Sequence, residues 1–139
     1  MLYFDSSVVV ALLINEPHSA RADASFTAPP GEELALSRWV ETEVAAALSA
    51  KMRSGRIDDR LLEEARARFA DLAASSLRLP IEARHFDLAT RFASVPRAQL
   101  RGGDALHLAI AFEAGATLCT FDRRQADAAA LLEVPCDLV

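Results

Sequence analysis

The stretch Leu2-Tyr3-Phe4-Asp5-Ser6-Ser7-Val8-Val9-Val10-Ala11-Leu12-Leu13-Ile14 contains the change of element that decides the fold. Leu2, Tyr3 and Phe4 read as a short apolar strand that stops abruptly at Asp5. Ser6 and Ser7 suit the first turn of a helix running through Ile14. A strand that passes straight into a helix begins a β-α alternation, and the remaining residues continue it. Pro17 is placed to open a second helix, and Pro29, Pro30 and Gly31 mark a loop. Leu34 to Leu36 form the next strand. Ser37 can cap a helix over Arg38 to Arg53 that stops at Gly55.

Asp58 starts a strongly charged helix to about Ser75, with Leu61, Leu62, Ala65, Phe69, Leu72 and Ala73 at helical spacing. Leu77 to Ile81 read as a third strand, and its proline suits an edge position. Helices are expected over Ile81 to Val95 and over Gly103 to Ala114, the latter ending at Gly115. Thr117 to Phe121 make a fourth strand that stops at Asp122. A helix over Arg123 to Leu132 and a strand over Pro135 to Val139 follow. Strands alternating with helices imply a parallel sheet flanked by helices, an α/β fold in a single domain over residues 1–139.

Bulk properties narrow the class. The 139 residues are 52% hydrophobic and 25% charged, enough for a real core. No segment reaches the roughly 18 to 20 apolar residues of a spanning helix. The apolar run Val8 to Ile14 is short and has no basic residue before it, so it does not read as a signal peptide. Cys119 and Cys136 lack metal-type spacing and read as buried thiols of a cytoplasmic protein. The net charge of −5 argues against a nucleic-acid partner. Against that, Lys51 is the only lysine, and arginine suits bidentate phosphate contacts. Arg84, Arg91, Arg97 and Arg101 lie near an acidic motif, with a solvated helix face as their plainer reading.

In an open parallel sheet, ligands bind beyond the carboxyl ends of the strands, where strand order reverses. Asp5 follows the first strand and Asp122 the fourth. Glu43 lies within two turns of the start of its helix, and Asp104 in the first turn of the helix before the fourth strand. Four carboxylates are therefore able to converge on one rim. Each also has a plain structural reading. An aspartate at a helix N-terminus is a favourable cap, worth about 0.3 to 1 kcal/mol through its charge. Glu41 competes with Glu43, and a helical wheel built on Val40, Val44, Ala47 and Leu48 does not separate them.

Local context adds to the four positions. Arg101-Gly102-Gly103-Asp104-Ala105-Leu106-His107-Leu108-Ala109 sets an aspartate among small and apolar residues. Thr120-Phe121-Asp122-Arg123 sets a hydroxyl two residues before another. With the opening Asp5-Ser6-Ser7 and the segment Glu43-Val44-Ala45-Ala46-Ala47-Leu48, these motifs resemble the PIN-domain family, in particular the VapC-like toxins of toxin–antitoxin pairs. The similarity spans nearly the whole chain, and it selects Glu43 over Glu41.

The resemblance implies a three-layer α/β/α sandwich with a mainly parallel sheet of about five strands. It also implies an acidic metal site and RNA cleavage. Crowded carboxylates repel one another unless protons or a cation neutralise them. An oxygen-only set suits Mg²⁺ or Mn²⁺, and without clustered Cys or His zinc is not expected. Asp5 and Asp104 are expected as the closest ligands, with Glu43 and Asp122 completing the site. Ser6 and Thr120 are supporting candidates that orient a ligand or water, or else cap and pack. Arg101 is placed to contact phosphate or pair with a carboxylate. His107 reads as a structural hydrogen bond and Asp127 as solvated. The expected partners are an RNA substrate, a small cognate antitoxin holding the site through a flexible basic tail, and a second copy of the chain. Helices around Phe69 and Phe92 are the suggested dimer contributors.

Two other functions compete. A phosphohydrolase or phosphoryl-transfer domain also places acids on a parallel sheet. A haloacid-dehalogenase-like enzyme, however, would need an aspartate where Ser7 stands. A receiver domain would need a late lysine, and Lys51 is early. No glycine-rich phosphate loop follows the first strand. The other rival is a non-catalytic binding module of the same fold.

Overall fold

Five parallel strands form one sheet in the order β3-β2-β1-β4-β5 in the computed structural model. They are β1 (Leu2–Phe4), β2 (Leu34–Ser37), β3 (Leu77–Leu79), β4 (Thr117–Thr120) and β5 (Cys136–Leu138). The structure describes residues 1–14 and 32–139, so the helix expected at Pro17 and the loop at Pro29, Pro30 and Gly31 lie outside the described residues. Tyr3 pairs with Ala35 on one side and with Leu118 on the other.

Successive strand residues point to opposite faces, so their burial shows which faces are covered. Tyr3 and Phe4 are both almost wholly buried, as are Ala35 and Leu36, and Leu118 and Cys119. Both faces of the sheet centre therefore carry helices, as a three-layer α/β sandwich requires. The outer strands are different, with Leu77 and Leu138 exposed. Pro80 follows the edge strand β3, where its missing N–H costs no ladder bond.

The helices of the described residues are α1 (Ser6–Leu13), α2 (Arg38–Arg53), α3 (Asp59–Ser75), α4 (Ala83–Ala93), α5 (Gly102–Ala114) and α6 (Arg123–Leu131), with a 3-10 turn at Pro96–Ala98. Asp5, Ser37, Asp58 and Asp122 cap α1, α2, α3 and α6, each accepting from backbone N–H groups of the first turn. Helix α1 packs on α2 and α3, and α4 packs along α5. Seven consecutive residues of α5, Ala105 to Ala111, are buried, which marks it as the central helix. Gly115 ends α5 in the left-handed conformation, at φ 61°.

Several expected boundaries shift by a few residues. Strand β3 ends at Leu79 instead of Ile81 because Pro80 cannot continue the ladder. Helix α4 covers Ala83–Ala93, and the tail expected to reach Val95 gives way to the 3-10 turn opened by Pro96. The chain moves outward from β1 to β3 and then returns across β1 to β4. Strand order thus reverses between β1 and β4, the strands that end at Asp5 and Asp122.

Candidate active site

Asp5 is buried at the end of β1 and has a donor for each carboxylate oxygen. Its Oδ1 accepts from the Ser7 hydroxyl at 2.6 Å and from the Val8 amide at 3.1 Å. Its Oδ2 accepts from the Thr120 hydroxyl of β4 at 2.6 Å. Thr120 Oγ1 in turn accepts from the Asp122 amide at 2.9 Å, and Ser7 Oγ accepts from the Phe121 amide at 3.0 Å. Two hydroxyls therefore tie the ends of β1 and β4 together across the reversal point. Thr120, a supporting candidate, lies against Asp5, and Ser7 joins it although its sequence position suggested only a helix turn.

Asp122 caps α6, accepting from the Arg124 amide at 2.8 Å and from the Gln125 amide at 3.4 Å. Asp104 lies opposite, in the first turn of α5. The two carboxylates share an open cavity of about 330 Å³ with Gln99, Leu100, Arg101, Arg124 and Gln125. Burial, then the charge of Asp122, raises the Asp104 carboxyl above its ordinary range, and Arg101 and His107 only partly oppose this. Arg101 is exposed at the cavity and belongs to the same electrostatic neighbourhood. By contrast, Arg84 is committed to Glu82 and Glu113, and Arg91 and Arg97 lie on solvated faces.

Glu43 enters the same rim from α2. Its Oε2 lies 2.6 Å from His107 Nε2 on α5, and His107 Nδ1 lies 2.9 Å from the buried Tyr3 hydroxyl. Burial alone would raise the Glu43 carboxyl. The hydrogen bond and electrostatic pull of the His107 ring, with help from Ser6 and the Trp39 indole, outweigh that and hold it below its ordinary range. Trp39 Nε1 is buried without a hydrogen-bond partner, so its influence on Glu43 is electrostatic and not a formed bond. A Cβ on Gly103 would lie 3.1 Å from Glu43 Oε1, so the absence of a side chain there admits the carboxylate. Glu41 is turned the other way and pairs with Arg78 on β3.

Among the described residues, Asp104 and Asp122 share a cavity, Thr120 joins Asp5 to the Asp122 amide, and Glu43 meets His107 and Gly103 on the helix that carries Asp104. Ser6 and Thr120 support these carboxylates and Arg101 stands at the mouth. No three His, Cys, Asp or Glu side chains among the described residues approach closely enough to make a ready-formed cage. Separate donors serve the carboxylates: the Ser7 and Thr120 hydroxyls and the Val8 amide for Asp5, His107 for Glu43, and the Arg124 and Gln125 amides for Asp122. The oxygen-only donors and the Asp104–Asp122 repulsion fit a hard divalent cation that keeps several waters and takes one or two carboxylates.

His107 makes the structural hydrogen bonds expected of it, and Asp127 is exposed. Both cysteines are free, Cys119 buried and Cys136 half-buried. Burial pushes the Cys119 thiol up to about 12 and the Cys136 thiol to about 11, so neither is a nucleophile at neutral pH. No helix of the described residues is long and apolar enough to cross a membrane.

The PIN domain profile matches residues 2–131. Ribonuclease VapC45 of Mycobacterium tuberculosis is 34% identical over 128 residues, covering 89% of this chain and 85% of that protein. In fold, the chain is similar to Mycobacterium tuberculosis VapC20, a sarcin-ricin loop cleaving toxin. That likeness has a TM-score of 0.72, 19% identity and coverage of 92% of this chain and 95% of that one. VapBC2 of Rickettsia felis, solved with a DNA fragment from its promoter, gives a TM-score of 0.71 at 14% identity, covering 99% of this chain and 98% of that one. At these identities the two solved structures speak for the fold alone.

Proposed function

The chain belongs to the PIN domain family, among its VapC-type ribonucleases, and from that premise we propose that it is the toxin of a toxin–antitoxin pair, hydrolysing RNA at a Mg²⁺- or Mn²⁺-dependent carboxylate site. The observation that carries the reading is the cavity shared by Asp104 and Asp122 beside Asp5, at the point where strand order reverses. Asp5 and Asp104 would hold the cation most closely, with Glu43 and Asp122 completing the set. Such an ion supplies a more acidic attacking water and offsets the charge that builds on the phosphodiester.

This chain's own residues supply the rest. Ser7 and Thr120 keep the Asp5 carboxylate fixed at the end of β1. Arg101 and Arg124 stand at the cavity, where their guanidinium groups suit the phosphates of an RNA strand entering it. RNA choice would come from surface shape and unpaired bases, outside the carboxylates themselves.

The partners follow the same reading. A small antitoxin with a basic, apolar C-terminal tail would place an arginine against Asp5, Glu43, Asp104 and Asp122, with apolar anchors offsetting the ordering entropy. A homodimer is the expected assembly. Phe86 and Phe112 are exposed on α4 and α5, and Phe112 makes an edge contact with Phe92. The free thiols fit a reducing compartment, the cytoplasm. Induced expression of wild type beside Asp5→Ala, followed by mapping of cellular RNA ends, tests the function. New ends at defined sites should arise with wild type alone. The same ends from both proteins would overturn the proposal.

A further inference from the structure

Behind Glu43, three buried polar side chains outside the carboxylate set form one unbroken chain. Ser37 Oγ lies 2.8 Å from the Tyr3 hydroxyl, that hydroxyl 2.9 Å from His107 Nδ1, and His107 Nε2 2.6 Å from Glu43 Oε2. Ser37 and Tyr3 have no solvent contact, and His107 keeps 2%. Polar groups this deep cost stability unless each is paired.

One proton order pairs them all. An ionised Glu43 only accepts, so His107 carries its hydrogen on Nε2. Nδ1 then accepts from the Tyr3 hydroxyl, and the Ser37 hydroxyl donates to Tyr3. Ser37 Oγ accepts the Val40 amide at 3.4 Å, closing the circuit at the cap of α2. Helix α2 is also the helix that carries Glu43. The circuit therefore runs from the start of α2, through β1 and α5, and back to α2 two turns later. Gly103 precedes His107 by four residues, on the same face of α5, and leaves room for the Glu43 carboxylate.

We infer that His107 is a positioning residue for Glu43, itself oriented by Tyr3, and that this buried chain sets how tightly the carboxylate rim takes a divalent cation. The inference rests on the metal-dependent reading above, since it acts through Glu43 as a cation ligand. Neither His107 nor Tyr3 reaches the cavity of Asp104 and Asp122. Their effect is to hold one rotamer of Glu43 and one ring orientation of His107. Without the Tyr3 hydroxyl, Nδ1 loses its partner and the ring is no longer fixed toward Glu43.

The test is a cycle on the full chain, with Mn²⁺ as probe and its free concentration read by electron paramagnetic resonance. Wild type, Tyr3→Phe, Glu43→Gln and the double variant are compared, with circular dichroism to report folding. Tyr3→Phe should weaken Mn²⁺ binding about 10-fold, the low end of what loss of a group behind a ligand costs. It should have no further effect in the Glu43→Gln background. His107→Gln, which keeps an N–H donor, should bind more tightly than His107→Leu, and it replaces Tyr3→Phe in the cycle if that variant does not fold. Unchanged Mn²⁺ affinity in Tyr3→Phe overturns the inference. An equal loss in both backgrounds also overturns it, because a packing effect does not depend on the Glu43 charge. A wild-type chain that binds no Mn²⁺ overturns the metal-dependent reading, and this inference with it.

Discussion

Thr120→Val removes one hydroxyl from a buried residue at nearly constant shape. That hydroxyl donates to Asp5 Oδ2 at 2.6 Å and accepts from the Asp122 amide at 2.9 Å, so two partners are stranded together. A hydrogen bond to a charged group is worth about 1.5 to 3 kcal/mol, and an unsatisfied buried N–H costs about 1 to 3 kcal/mol. The added methyl returns about 0.8 kcal/mol. Asp122 is half-buried, and water reaching its amide pulls the sum toward the lower values. A net loss of about 2 to 4 kcal/mol is expected, roughly 10 °C in melting temperature for a domain of this size. That is less than the roughly 5 to 15 kcal/mol of a typical domain, so the variant folds. Thr120→Ser keeps the hydroxyl and should lose only about 1 kcal/mol for its missing methyl. Urea denaturation of the three proteins, paired with RNA cleavage, separates the cases. Thr120→Val as stable as Thr120→Ser, or cleaving like wild type, would refute the role of this hydroxyl.

Asp104→Asn should abolish cleavage yet raise stability in metal-free buffer, because burial and the Asp122 charge disfavour the ionised carboxylate. A carboxyl raised in the folded state contributes stability below its unfolded value that is lost as pH rises through the folded one. The gain from Asn should therefore be present at neutral pH and shrink in acid. Denaturation at both pH values checks this, and an unfolded variant by circular dichroism would make Asp104 structural. Gly102→Ala meets nothing within 4 Å and should stabilise α5 by up to about 1 kcal/mol, whereas Gly103→Ala should lose that gain and cleave less. Its Cβ would press on a Glu43 held 2.6 Å from His107, and equal gains with unchanged cleavage would contradict that. Light scattering should give about twice the 15.0 kDa chain mass, and a monomer at micromolar concentration would count against the homodimer.

The fold was legible because its strands are short apolar runs that break at charged or capping residues. Leu2–Phe4 stops at Asp5, and Thr117–Thr120 gives way to Asp122. Strand order was not legible, since pairing of β1 with β4 joins residues more than a hundred positions apart. The Thr120–Asp5 bond is hidden for the same reason, spanning 115 positions. Glu41 and Glu43 look alike on a helical wheel because both flank the buried Val40–Val44 stripe. What separates them is tertiary: Arg78 on β3 meets one and His107 on α5 meets the other. The one local hint was Gly103, a missing side chain four residues before His107. Ser37 and Ser7 read as ordinary helix-start residues, and only the folded chain shows their second partners.

In the proposed function, Asp5, Glu43, Asp104 and Asp122 hold a divalent cation over RNA. Cleavage of a cellular RNA extract by purified wild-type chain should disappear in excess EDTA and return when Mg²⁺ or Mn²⁺ is restored, while Asp5→Ala stays inactive throughout. Cleavage that persists undiminished in EDTA, or that Asp5→Ala performs equally well, would contradict it.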